Sequence, residues 1–310
     1  MGLGFLFPGQ GAQAVGMVAD IGAVEEAVSR RFAQASEAVG FDLGNVVQNG
    51  PAERLNETEV TQPALLTVGV ALLDVWRHRG GSEPEVVAGH SLGEYSALVA
   101  AGSLEFASAV ALVHERGKLM QGAVPTGQGA MAAILGLDDP VVEECCKGID
   151  GTVTPANYNS PGQVVIAGRA DAVAAAINAC KDRGARRAVP LDVSVPSHCA
   201  LMAPASEPLS ELLSNADIRD PRIPVVQNYS AAAATDAATI RDNLLRQLVS
   251  PVRWSASVGT MATSGPESFV ECGPGGVLAG LARRIDRSLK VHGIGTLEAL
   301  ESALEACADQ

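Results

Sequence analysis

The 310-residue chain has no apolar run long enough to cross a bilayer, and its opening residues Met1-Gly2-Leu3-Gly4 carry no basic segment. A membrane-spanning protein is therefore excluded, and a cytoplasmic location is expected. Basic residues are scarce: 22 Lys and Arg stand against 35 Asp and Glu, a net charge of −13. Nucleic-acid binding needs a broad basic surface, so that class of partner is excluded. An anionic protein partner would have to find a local basic patch. The six cysteines (Cys145, Cys146, Cys180, Cys199, Cys272, Cys307) include no Cys-x-x-Cys pair and no zinc spacing. They read as reduced, mostly buried thiols, and no metal site is expected. No internal repeat or low-complexity linker is present. With 47% apolar residues the chain is long enough for one large α/β domain or two domains.

Two phosphate-binding patterns are missing as well. Residues 3–7 form a short apolar strand that runs into the loop Pro8-Gly9-Gln10-Gly11-Ala12-Gln13. Gly9-x-Gly11 lacks the third glycine of a dinucleotide fingerprint, because position 14 is Ala. Gly11 to Gly16 has P-loop spacing, but Met17-Val18 follows where Lys-Ser/Thr is required.

What is present is Gly89-His90-Ser91-Leu92-Gly93. Val86-Val87-Ala88 before it reads as a buried strand, and residues 92–101 after it, rich in Leu and Ala and free of Pro, read as a helix. A serine between strand and helix, flanked by glycines, sits on a sharp turn that exposes its hydroxyl near the positive end of the helix. Acyl transfer through a nucleophilic Ser91 is the chemistry such an elbow serves; the bland account is a tight turn with a bystander serine.

The surrounding pattern is α/β. Helices are expected over 61–79, with Pro63 in the first turn, and over 106–121. Residues 130–191 read β-α-β-β-α-β, the order of a ferredoxin-like unit, inserted over 126–193 into an outer domain of 1–125 and 194–310. Residues 217–230 (strand), 239–249 (helix) and 268–271 (strand) complete the outer domain.

A serine nucleophile needs a base and an oxyanion hole. Of five histidines, His90 adjoins the serine and should point elsewhere. His78 and His114 sit in charged helix segments and read as solvated; His292 lies in a late strand. His198, in Val195-Pro196-Ser197-His198-Cys199, stands where the chain leaves the inserted unit, and junctions favour ligand sites. It is either the base or a structural histidine. Cys199 is a weaker nucleophile candidate. Leu92 N–H would supply one oxyanion donor, and the Gly9-Gln10-Gly11 loop is the natural source of the second. Arg116 shares the apolar stripe of Leu112, Val113 and Met120. A guanidinium facing inward meets an internal Asp or Glu, or waits for a carboxylate on the substrate.

Taken together, Phe7-Pro8-Gly9-Gln10-Gly11-Ala12-Gln13, Thr61-Gln62-Pro63-Ala64, Gly89-His90-Ser91-Leu92-Gly93-Glu94, Arg116-Gly117, Asn157-Tyr158-Asn159-Ser160-Pro161-Gly162-Gln163, Pro196-Ser197-His198, Gln247-Leu248-x-x-Pro251-Val252 and Glu271-x-Gly273-Pro274-Gly275 occur in this order. This series resembles the malonyl-CoA:acyl-carrier-protein transacylases of bacterial type II fatty-acid synthesis, nearly end to end, with Ala12 and Tyr158 as mild variants. The resemblance implies a hydrolase-like core with a parallel sheet and the inserted ferredoxin-like subdomain. It implies Ser91 as nucleophile, His198 as base, and the backbone carbonyl of Gln247 as the group orienting that base. Backbone N–H groups of Gln10 and Leu92 would form the oxyanion hole, Arg116 would bind the malonyl carboxylate, and Asn157 and Asn159 would line the cleft. Malonyl-CoA and acyl carrier protein would be the partners, with no cofactor, and the protein a monomer. Arg183/Arg186/Arg187 and Arg283/Arg284/Arg287 are candidate docks for the acidic carrier, or merely solvated helix ends. A polyketide acyltransferase, a serine esterase or thioesterase, and a non-catalytic binding module are the competing readings.

Overall fold

The helix Thr58–His78 is apolar on every side, and 17 of its 21 residues are buried. Such a helix cannot lie on a surface; it must be the centre of a core. It runs behind a sheet whose strands are themselves continuous apolar runs. The computed structural model describes residues 2–193 and 195–308. Ser194, where the sequence places the return to the outer domain, lies outside them, as do the chain ends Met1, Asp309 and Gln310 of the expected outer domain. Every residue of β1 (Leu3–Phe7), β2 (Val86–Gly89) and the later strand Ser268–Glu271 is buried, as a sheet covered on both faces requires.

In chain order the remaining strands are β3 (Gly129–Leu135), β4 (Val153–Ser160), β5 (Gln163–Arg169), β6 (Arg187–Pro190), β7 (Val225–Val226), β8 (Ala233–Ala234), β9 (the Ser268–Glu271 strand) and β10 (Lys290–Gly293). The first sheet has the order β10-β9-β1-β2-β7-β8, parallel except for the last pair. The second is antiparallel, in the order β4-β5-β3-β6. Side chains alternate along its strands. Ile134, Val164 and Ile166 join Val142, Val173 and Ile177 of the helices Asp139–Lys147 and Ala170–Asp182. Met131, Val165 and Ala167 point the other way, onto Cys199 and Leu201. The second sheet therefore lies over the segment that carries His198.

Main-chain pairing joins the two units. Tyr158 N–H donates to Val252 C=O at 2.9 Å, and Val252 N–H donates to Ala156 C=O at 2.9 Å. β4 is thus bridged to the segment that follows the helix Ala237–Val249. The Glu271-x-Gly273 motif is structural: Glu271 accepts the N–H groups of Leu278 and Ala279, capping the helix Val277–Ile285. A Cβ on Gly273 would lie 2.1 Å from Pro8 Cγ, so this loop packs directly against the Pro8-Gly9-Gln10 loop.

Several expectations need correction. The strand expected over 217–230 is only Val225–Val226, because Pro221 and Pro224 offer no N–H for a ladder and the chain turns back at 230. The helix expected from 61 begins at Thr58 and encloses Pro63. Proline cannot donate to the carbonyl four residues back, and His114 Nδ1 occupies that carbonyl, Glu59 O, at 2.7 Å. His114 is accordingly 7% exposed rather than solvated. The helices Glu26–Val39, Leu43–Asn49, Trp254–Thr263 and Leu297–Ala308 had no counterpart in the sequence reading.

The helix Phe106–Ala123 crosses Thr58–His78 at Gly117, where a Cβ would lie 2.6 Å from Glu59 Cα and 2.8 Å from Thr58 O. Both atoms are backbone and cannot step aside. Gly117→Ala should therefore destabilise the fold by about 1–3 kcal/mol, read from the urea midpoint. An unchanged midpoint would show that the crossing has slack.

Candidate active site

β2 delivers the chain to Ser91, which takes φ +51° in the left-handed region. That conformation is costly for a residue with a Cβ, and the surroundings hold it in place. Gly89 and Gly93 clear the turn: a Cβ on Gly89 would lie 1.8 Å from Gly93 C, and one on Gly93 would lie 2.0 Å from Phe7 O. Asn228 clamps it from the side. Its Oδ1 accepts Ser91 N–H at 2.7 Å and its Nδ2 donates to Gly89 C=O at 2.7 Å. The helix Gly93–Ala100 follows, so Ser91 stands at a positive helix end.

Ser91 Oγ lies 2.7 Å from His198 Nε2. His198 is also left-handed, at φ +62°, and 3% exposed. Its Nδ1 lies 2.8 Å from the backbone oxygen of Gln247. A carbonyl can only accept, so Nδ1 carries the proton and Nε2 offers its lone pair to the serine. This carbonyl is available because Gln247 lies in the last turn of the helix Ala237–Val249, and residue 251 is a proline with no N–H to return. Burial, with smaller contributions from Arg116 and His90, lowers the His198 pKa to about 3. The ring is neutral, as a proton acceptor must be.

Behind this pair lies Arg116, fully buried. Among the described residues no Asp or Glu forms an ion pair with it, which removes the internal-carboxylate alternative. Two glutamines take its place. Nη1 donates to Gln62 Oε1 at 2.7 Å and Nη2 to Gln247 Oε1 at 3.0 Å, and the Tyr95 ring centroid lies 5.4 Å from the guanidinium carbon. Nε, also buried, has no hydrogen-bond partner among the described residues. The site holds a planar cation with donor capacity to spare.

Ser91, His198, His90, Gln10, Asn157 and Asn159 border one cleft of about 380 Å³ between the two sheets. Gln10 is brought in by its loop, which presses so closely on the elbow that a Cβ on Gly9 would lie 2.4 Å from His90 O. Leu92 is buried, and no acceptor among the described residues takes its N–H; the next two N–H groups bond to His90 O and Ser91 O. His90 points away from the nucleophile. Its ring turns toward the second sheet and its Nε2 lies 2.8 Å from Asn159 Oδ1. Cys199 is 1% exposed with its Sγ on Pro196 O, and burial raises its pKa, so it is no nucleophile.

The sequence reading gave no role to Asn228, Gln62 or Glu94. Gln62 and Glu94 stand within the family-like motifs; Asn228 falls inside the strand expected over 217–230 and carries no local signal. A buried polar residue needs partners far along the chain, and those become visible only when the fold brings them together.

Residues 4–298 match a family model described as an acyl transferase domain. A malonyl CoA-acyl carrier protein transacylase of Escherichia coli (strain K12) is 54% identical over 303 residues, covering 97% of this chain and 98% of that protein. An acyl carrier protein S-malonyltransferase from Vibrio cholerae O1 biovar eltor superimposes with a TM-score of 0.94 at 50% identity, covering 98% of this chain and 100% of that one. A malonyl-transacylase solved in complex with its type II polyketide acyl-carrier protein gives 0.97 at 48% identity, covering 99% and 100%. The chain therefore belongs to the acyl transferase family.

Proposed function

We propose that this acyltransferase moves a malonyl group from malonyl-CoA to the phosphopantetheine thiol of acyl carrier protein, through a malonyl ester on Ser91. The observation that carries this reading is the Arg116 guanidinium, buried without a carboxylate beside a Ser–His pair. Malonyl is a thioester whose far end is a carboxylate, so one ligand matches both features. The names of the relatives point to the same substrate.

In the first half-reaction Ser91 Oγ attacks the thioester carbonyl carbon while His198 Nε2 takes its proton. The oxyanion faces the N–H groups of Gln10 and Leu92; one such donor typically contributes about 3 kcal/mol of transition-state stabilisation. The C–S bond breaks and the coenzyme A sulfur takes the proton from His198. The last-turn carbonyl of Gln247 stabilises the transient imidazolium. The carrier's thiol then attacks the ester carbonyl, again giving its proton to His198, and Ser91 is restored. Each of these steps uses groups of the chain, side-chain and backbone, and the substrate. Asn157 and Asn159 border the path of the pantetheine arm, and Asn159 does so while fixing His90.

The same reading assigns the architecture. The β4-β5-β3-β6 order with two helices on one face is that of a ferredoxin-like subdomain, residues 126–193, set in a hydrolase-like core of 1–125 and 194–310. Six free, buried cysteines support a cytoplasmic location. Arg186 and Arg187 of the subdomain meet Arg284 of the core around one pocket of about 400 Å³, where Arg284 donates to Gln163 Oε1. Members of both arginine clusters thus offer one basic surface for an acidic carrier, whereas Arg183 is paired with Glu144. A carrier from polyketide synthesis is the second reading, favoured by the solved complex named above; the chemistry is the same.

Intact-protein mass after brief exposure to malonyl-CoA tests the central claim. One malonyl group should appear on the wild type and none on Ser91→Ala; free malonate without an adduct would identify a hydrolase. Arg116→Ala should lower the malonyl adduct at least about a hundredfold and the acetyl adduct little, since acetyl makes no use of the cation. Equal losses would refute the role of Arg116. Because His198 is neutral down to about pH 3, labelling of Ser91 by an uncharged sulfonyl fluoride should stay level from about pH 5 to 7.5. A fall centred near the ordinary imidazole value would show a ring that protonates freely. Charge reversal at Arg187 or Arg284 should raise the KM for the carrier severalfold and leave that for malonyl-CoA unchanged. If both constants hold, the dock lies elsewhere.

A further inference from the structure

Glu94 is a fully buried carboxylate that the transfer reaction does not use. It begins no ion pair among the described residues. Three donors converge on it instead: Gln227 Nε2 on Oε1 at 2.9 Å, and Asn228 N–H at 3.2 Å and Gln247 Nε2 at 2.6 Å on Oε2. A carboxylate accepts only, so nothing here receives a proton from it. Burial nonetheless raises its pKa to about 7, the three donors and Arg116 pulling the other way. Such a group is costly to keep, and the geometry shows what it holds.

Gln247 has two ends that could exchange. Its amide can turn over at little intrinsic cost, and only its partners decide which end faces where. Here Oε1 meets Arg116 and Nε2 meets Glu94, with Ser91 C=O at 3.1 Å as a second acceptor. Turned over, the amide would set its NH₂ against the guanidinium and its oxygen against the carboxylate. Each end therefore enforces the other, and Glu94 is the stronger lock because it lies closest.

We propose that Glu94 is a positioning residue for malonyl selectivity: through Gln247 it keeps an acceptor on Arg116, which holds the guanidinium fork splayed between Gln62 and Gln247 and leaves its remaining N–H groups for the acyl carboxylate. This deepens the malonyl-transfer reading and rests on it. The base is independent of Glu94, because His198 is held by the backbone oxygen of Gln247 and not by its amide; the links from Glu94 to the Ser91 turn, through Asn228 and Gln247 Nε2, bear on malonyl and acetyl alike. Loss of Glu94 should thus change which acyl group is accepted more than whether Ser91 reacts.

The other donors show how a substitute would behave. Gln227 Oε1 is occupied by Asn243 Nδ2 at 2.7 Å, and the Asn228 donor is a backbone N–H. In Glu94→Gln the amide oxygen can still face Gln247 and Asn228, with its NH₂ turned toward Gln227 as a single mismatch. Glu94→Met fills the volume and offers no acceptor of that kind.

The test is competition: wild type, E94M and E94Q are each mixed with equal malonyl-CoA and acetyl-CoA, and the two Ser91 adducts are counted by intact mass. Their ratio does not depend on how much of a variant is folded. E94M should lower the malonyl-to-acetyl ratio by at least about tenfold, and E94Q should stay within about threefold of wild type. Should E94M be insoluble, E94A is read the same way. An unchanged ratio in E94M, parallel loss of both adducts, or an E94Q as poor as E94M would each overturn the proposal. A wild type that forms no malonyl adduct would instead refute the function reading, so the two failures are distinct.

Discussion

Burying a guanidinium away from any carboxylate is among the more expensive things a fold can do, and Arg116 is buried in that way. Desolvation of such a charge costs several kcal/mol unless its N–H groups find acceptors. Two neutral amides supply them, one from each of two helices, and an aromatic face closes a third side. The nearest anion, Glu94, stands one amide away. The site thus carries a cation and a countercharge that do not touch. A direct ion pair would lower the cost further but would use the donors that a ligand carboxylate needs. The close crossing at Gly117 brings the helix that carries Arg116 against Thr58–His78, which carries Gln62.

The second constraint is the cleft. Ser91 lies between two sheets and not on a surface, a placement that suits the proposed function, in which a thioester must reach it while water is kept a poor competitor. Backbone pairing of β4 to Val252 sets the distance between them, and the His90–Asn159 contact fixes it at the mouth of the site. The bridge to Val252 follows directly after Pro251, and Gln247, which orients the base, precedes it by one helical turn. Registration of the two sheets and orientation of the histidine are therefore set by one short stretch of chain.

Much of this was legible in the sequence, for identifiable reasons. The elbow could be read because its glycines and its strand-to-helix setting are local, and the antiparallel unit because its periodicities are. Ser91, His198, Gln10, Asn157 and Asn159 border one cleft, with Gln247 and Arg116 hydrogen-bonded to one another behind His198. The failures share a cause. His114 looked solvated because its neighbours are charged, while its partner, Glu59 O, is 55 residues away and is freed by a proline. Asn228 gave no signal, since its role is to clamp a turn 137 residues earlier. Arg116 could be recognised as inward-facing from spacing, but not that glutamine amides would receive it. Local pattern reports which way a residue faces; only the fold reports what it meets.

The base is tied to main chain. No substitution of the residue at 247 removes a carbonyl oxygen, so the orienting partner of His198 cannot be lost by a point change there, as the carboxylate of a Ser-His-Asp triad can. The side chain of the same residue meanwhile faces Arg116. On the proposed function, reactivity and choice of acyl group are thereby written on separate atoms of one residue. Descendants of this chain could drift in which acyl group they accept, through positions 62, 94, 116 and the amide of 247, while the nucleophile stays armed. An architecture of that kind is well suited to diversification, because exploring a new substrate does not first require dismantling the chemistry.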